Sequence, residues 1–182
     1  MKQVIRMSTV VCVLMLSGAM ACKDDPAGPT GLNIELISNT TFEYTSIFNT
    51  SGWKIVGMTA KGNNATPGTG GAWSLELDAQ PGATTYAETV VSGASTGTGT
   101  YTLTAFMANL PVEGVIGIGK RTGGVTTISA STTSDSAGWH KVTVTGDITF
   151  AAGDSLVARL SAGTGSTDKF VLYDLVSFMR TK

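Results

Sequence analysis

Apolar and polar residues alternate with a period of two in several segments of this chain, and no stretch sustains a helical period. Trp73, Leu75 and Leu77 share one parity, and Ser74, Glu76 and Asp78 share the other. Tyr101, Leu103, Ala105 and Met107 repeat the pattern, as do Leu156, Ala158 and Leu160. Val142 and Val144 alternate with Lys141, Thr143 and Thr145. Successive side chains of a strand point to opposite faces, so such runs predict half-buried strands with one face on a core. Strands are predicted over 33–37, 53–58, 73–78, 84–91, 100–108, 114–120, 125–129, 140–145, 155–161 and 169–179. Clusters rich in Gly, Ser and Thr at 62–71, 92–99, 122–124 and 163–166 read as the turns between them. About ten short strands at this spacing predict an all-β fold, a single antiparallel β-sandwich over 32–182, with a barrel as the competing closure.

The first 21 residues depart from the pattern. Lys2 and Arg6 precede an apolar run over 10–16, and small residues follow as far as Ala21. The run is too short to persist as a membrane span, so 1–21 reads as a cleaved signal peptide. Ala19-Met20-Ala21-Cys22 resembles the lipobox of bacterial lipoproteins, in which the cysteine is acylated and becomes the first mature residue. That resemblance implies lipidation at Cys22; a plain secretory signal followed by a chance cysteine is the alternative. Cysteine usage bears on the choice. Cys12 leaves with the leader, so Cys22 has no disulfide partner to find. Residues 22–31, with both early prolines and no apolar anchor, read as a lipidated, flexible tether. Lys23-Asp24-Asp25 is similar to the signal that sends some such lipoproteins to the outer face of the outer membrane. The expected location is the outer membrane or cell surface, with the membrane touched through the lipid alone.

Removing the leader leaves ten basic against thirteen acidic residues, and no basic stripe, which argues against a nucleic-acid partner.

Three stretches resemble the jelly-roll carbohydrate-binding modules of the galactose-binding-domain-like group. "LISNTTFEYTSIFNTSGW" (36–53) is similar to their opening Asn-x-x-Phe-Glu element and later Gly-Trp pair. "SAGWHKVTVTGDITFAAGDSLVARLSA" (136–162) is similar to their late segment, and "FVLYDLVSF" (170–178) to their last strand. The resemblance implies a jelly-roll fold and a non-catalytic domain that binds a polysaccharide or oligosaccharide. It also implies a structural Ca²⁺ held by Glu43 and Asp174, although Leu175 stands where many relatives carry a second Asp. Other readings of Asp174 are a solvent-facing residue, a partner of backbone amides, or an ion pair with Lys169 or Arg180.

No catalytic set stands out. His140 is the single histidine and reads as structural, following Trp139 at a strand start. Gly93–Gly97 matches G-x-S-x-G in a Gly/Thr-rich loop, without the strand-turn-helix context that motif needs. The carboxylates Glu76, Asp78, Glu88, Glu113 and Asp147 are scattered, with no pair marked for glycoside chemistry. Sugar sites on β-sandwiches use amphipathic rings beside carboxylates and amides. Trp53 and Trp139 read as structural. Tyr44, Trp73, Tyr86 and Glu88 are the candidate ligand-binding residues, with the polar segments 61–64 and 120–121 as possible helpers. The functional expectation is a lipid-anchored, cell-surface glycan-binding protein that is not an enzyme. The competing expectation is a structural or adhesin-like envelope protein with the same sandwich and no sugar site.

Overall fold

A computed structural model of the chain describes residues 32–57, 60–166 and 168–182. The leader, Cys22 and the tether lie outside the described residues. Twelve strands follow in order: β1 (Glu43–Tyr44), β2 (Ile47–Phe48), β3 (Lys54–Val56), β4 (Ala60–Asn63), β5 (Ser74–Asp78), β6 (Thr85–Ser92), β7 (Gly99–Leu110), β8 (Gly114–Thr122), β9 (Val125–Ser134), β10 (His140–Ile148), β11 (Ser155–Ala162) and β12 (Phe170–Arg180). A single helical turn, α1 (Gly93–Thr96), joins β6 to β7.

Ten of these strands form two five-stranded antiparallel sheets, and β1–β2 is a separate small hairpin. Sheet I runs β10-β7-β12-β5-β4, and sheet II runs β3-β6-β11-β8-β9. The two sheets are separate and pack face to face, so the closure is a sandwich and not a barrel. The core lies between them, where Leu75, Leu77, Tyr101, Leu103, Met107 and Phe178 of sheet I meet Ile116, Ile118, Leu156 and Leu160 of sheet II. Tyr173 of β12 also fastens the layers by polar bonds. Its hydroxyl accepts from the Val115 amide at 3.0 Å and donates toward the Ser161 carbonyl at 2.6 Å. A buried hydroxyl without such partners would carry its full desolvation cost.

The alternation reading holds for β7, β10 and β11, whose apolar parities are the core faces. Three differences have local causes. The strand expected over 33–37 is reduced to one bridge, Glu35 to Met179. There the Glu35 carboxylate takes the Phe178 amide at 2.8 Å, and Asn33 and Asn39 hold positive φ, so no regular ladder extends. β4 lies inside a stretch read partly as turn, because a short edge strand without apolar alternation leaves no sequence signal. Finally, 93–97 is not simply a loop: α1 follows β6 directly, and the carbonyls of Thr96 and of Gly97 just after it accept from the Tyr101 hydroxyl.

Candidate functional site

The outer face of sheet II is built by register. Lys54, Glu88, Arg159, Gly117 and Ser131 stand in one row across all five strands. The next row is Val56, Tyr86, Ser161, Val115 and Thr133. Each has the parity opposite to the core residues of its own strand, so the pleat directs these side chains away from the sandwich interior.

At the centre sits Glu88, only 1% exposed. Its Oε2 accepts from Arg159 Nε at 3.0 Å and Nη2 at 2.5 Å. Its Oε1 accepts from Arg121 Nη2, and Arg121 Nε donates to Thr126 Oγ1 at 3.1 Å. The Arg159 guanidinium lies 4.2 Å from the centroid of the Tyr86 ring, a cation–π contact. Charge-assisted bonds of this kind are the strong ones, and they hold four side chains from β6, β8, β9 and β11 in one array. Arg121 reaches Glu88 across β11, and Val157, which faces outward between them, is fully buried. Long arginine stems cover apolar surface in this way.

Beside the array lies a cavity of 380 Å³, bounded in part by Arg159, Ser131, Ser161, Thr84 and Glu113. Gly117 forms part of its wall, and a Cβ there would come within 2.9 Å of the Ile128 side chain. The missing side chain keeps the hollow open. Its volume falls in the range of small-ligand sites.

The four predicted ligand residues divide two and two. Tyr86 and Glu88 both belong to the sheet II array. Trp73 lies against the small hairpin, its indole donating to the Ser46 carbonyl at 3.0 Å, with Phe48 at 6.5 Å between ring centroids. Tyr44 is 70% exposed and lines a second cavity, of 470 Å³, with Ser38, Asn39, Glu43, Asn49 and Ser51. Trp53 is buried against Phe42 at 5.4 Å, a core residue as expected. Sequence reasoning missed Arg159 and Lys54. The signal for Arg159 was its place in "SLVARLSA", a cation at the outward parity of an otherwise apolar strand. Arg121 belongs to β8, where a polar loop was expected.

The predicted metal residues converge elsewhere, where the hairpin meets β12. Asp174 is fully buried; its Oδ1 accepts from the Leu175 amide at 2.7 Å, and its Oδ2 has no partner. Neither Lys169 nor Arg180 pairs with it: the Arg180 guanidinium is spent on the Thr96, Thr98 and Lys182 carbonyls. Burial, followed by the neighbouring Glu43 charge, pushes the Asp174 carboxyl up to about 7. Glu43 Oε1 accepts from the amides of Ala72 at 2.5 Å and Trp73 at 2.6 Å. The segment at 70–71 lies directly against both acids, since a Cβ on Gly70 would overlap Asp174 Oδ2 and one on Gly71 would overlap Glu43 Oε1. An orphaned buried carboxylate oxygen beside a second carboxylate and close-packed backbone fits a hard cation with oxygen ligands. Among the described residues no group of three or more His, Cys, Asp or Glu gathers, so backbone carbonyls would have to complete such a set.

Of the remaining candidates, His140 uses both ring nitrogens locally, with Ser134 Oγ at 2.7 Å and the Gly138 carbonyl at 2.9 Å. Glu76 and Asp78 are neighbours on the outer face of sheet I, tied to Lys61 at 2.8 and 3.5 Å. They sit side by side on one strand, not across a cleft as a glycosidase pair would.

No protein-family profile matches this sequence, and no curated protein sequence matches it. Solved structures do. TmCBM61, solved in complex with β-1,4-galactotriose, is similar with a TM-score of 0.56 and 16% identity, over 81% of this chain and 99% of that one. The CBM22-1 xylan-binding domain of Xyn10C from Paenibacillus barcinonensis gives 0.58 and 17%, over 86% and 97%. The arabinose-bound MgGH51 α-L-arabinofuranosidase gives 0.56 and 16%, over 84% of this chain and 27% of that larger one. The fold is a jelly roll. At these identities the likeness establishes the architecture, and the ligand has to be argued from the side chains of this chain.

Proposed function

We propose that this protein is a non-catalytic glycan-binding module that takes a polysaccharide or oligosaccharide on the outer face of sheet II. The observation that carries the reading is the Tyr86–Arg159–Glu88–Arg121 array beside an open hollow. It presents an amphipathic ring and two guanidinium groups on the sheet face, and Arg159 carries it to the wall of the cavity beside Ser131 and Ser161. Such a mixture of apolar wall and convergent polar groups suits sugar hydroxyls and C–H faces. Support also comes from the architecture shared with the galactotriose-bound and xylan-binding modules. In this reading Glu43 and Asp174 hold a structural Ca²⁺, and Cys22 anchors the chain by lipid to the outer membrane or cell surface. Anchored so, the module would retain glycan near the cell for other proteins.

The second reading, an adhesin-like envelope protein with no sugar site, is favoured by one observation. Tyr44 and Ile47, at 70% and 67% exposure, present apolar surface on the hairpin and not on the sheet II face. A glycan array with purified protein separates the two. Specific binding that Tyr86→Ala abolishes and Trp73→Ala spares places the ligand on sheet II. Loss with Trp73→Ala alone would move it to the hairpin, and no binding to any glycan would sink the sugar reading.

A further inference from the structure

The charge of the sheet II face runs against that of the molecule. The chain as a whole carries 12 Lys and Arg against 13 Asp and Glu. On this face Arg121 and Arg159 both pair with one acid, Glu88, Lys54 holds the register position beside it on β3, and Glu113 lies on the cavity wall beyond. Two of the arginines outside the leader, Arg121 and Arg159, therefore converge on a single carboxylate.

One carboxylate neutralises one guanidinium. Both oxygens of Glu88 are already engaged, so the second cation keeps an uncompensated charge. Yet the two arginine side chains are only 26% and 23% exposed, and water screens them incompletely. A partly desolvated, unbalanced cation is unfavourable alone and is stabilised by an arriving anion. Lys54, in register with Glu88, adds a further positive charge at the edge.

The aromatic content points the same way. Among the described residues Tyr86 is the only ring at the register positions of this face, and the Arg159 guanidinium already covers one side of it. A neutral pyranose would find little stacking surface, whereas planar guanidinium forks match a carboxylate in two-point geometry.

We propose that this face selects acidic glycans, specifically a polyuronate whose sugar carboxylates are gripped by Arg159 and Arg121 and attracted by Lys54. The inference rests on the glycan-binding reading above and narrows it to a substrate class.

The test is calorimetric titration of the purified protein with oligogalacturonate, the same oligomer fully methyl-esterified, and neutral β-1,4-galactan. The ester keeps the backbone and removes only the charge. The acid should bind more tightly than the ester by about tenfold or more, as charge-assisted bonds require. The advantage should shrink as salt screens the ion pairs. Arg121→Gln should lower acid affinity by more than it lowers ester affinity, so that the ratio of the two falls. The combined change Glu88→Gln, Arg121→Gln and Arg159→Gln removes the acid together with both guanidiniums, leaves no lone charge in the network, and should cut the preference to what exposed Lys54 supplies. Should that triple variant fail to fold, Arg121→Gln still decides, since Arg159 alone continues to hold Glu88. Equal binding of acid and ester, or a preference for galactan, would overturn the acidic selection while leaving the glycan reading intact. Binding to none of the three, together with a blank glycan array, would overturn both.

Discussion

Asp154 shows how much one side chain contributes to local order. Its Oδ1 accepts from Thr122 Oγ1 at 2.5 Å, and its Oδ2 from the Ala151 amide at 2.9 Å and Lys120 Nζ at 3.0 Å. It thereby pins the end of β8 to the turn between β10 and β11. The Thr122 hydroxyl first, then the Ala151 amide and Lys120, hold its carboxyl down to about 2. A depressed carboxylate stabilises the fold above its ordinary titration range and loses that contribution as pH falls through the folded value. Denaturation midpoints should therefore drop between about pH 4 and pH 2 in the wild type. Asp154→Asn should be less stable at pH 7 and show a flatter acid limb; an unchanged slope would refute the assignment. None of this was legible in the sequence, where Asp154 is one acid in a Gly-Asp turn. The same holds for Glu88. Its neighbourhood in the chain pointed to a mixed face, but Arg121 and Arg159 reach it only through strand pairing.

At the scale of elements, the β1–β2 hairpin and β12 are brought together by Glu43 and Asp174, which lie against the same 70–71 backbone. The β12 ladder shifts register between Asp174 and Ser177, and Leu175 takes a φ of 47°. A bulge of this kind re-aims a side chain, here turning the Asp174 carboxylate toward Glu43 and the 70–71 backbone. If calcium bridges the two acids, it clips the N-terminal hairpin to the last strand. Calcium a hundredfold above its dissociation constant should then raise the melting temperature by about 5–10 °C. Chelation should reverse the rise, and Asp174→Asn should abolish the response. A melting temperature indifferent to both calcium and chelator would remove the ion from the picture. Strands with clean alternation, such as β7 and β11, were readable because one face meets the core along their whole length. β4 and the hairpin were not, because each puts only one apolar side chain, Ala60 or Phe48, against the core, too few to leave a period.

At the scale of the molecule, the proposed arrangement is a sandwich on a tether, with its cationic face free to meet extended polymers. No described helix is long and apolar enough to cross a membrane, and the proposed attachment is through lipid on Cys22. Cys22→Ser should move the protein from the membrane to the soluble fraction on cell fractionation, and a variant that stays membrane-bound would contradict lipid anchoring. The alternation of the chain by itself determined the all-β class and the core parities, since a period of two leaves only one face that can be buried. The Phe-Glu and last-strand motifs led to Glu43 and Asp174 as a pair. Only the tertiary structure decided that Tyr86 and Glu88 part from Tyr44 and Trp73, and that two arginines join the former. Those choices depend on the order of β6, β11 and β8 in the sheet. That order comes from long-range strand pairing, which local sequence pattern does not encode.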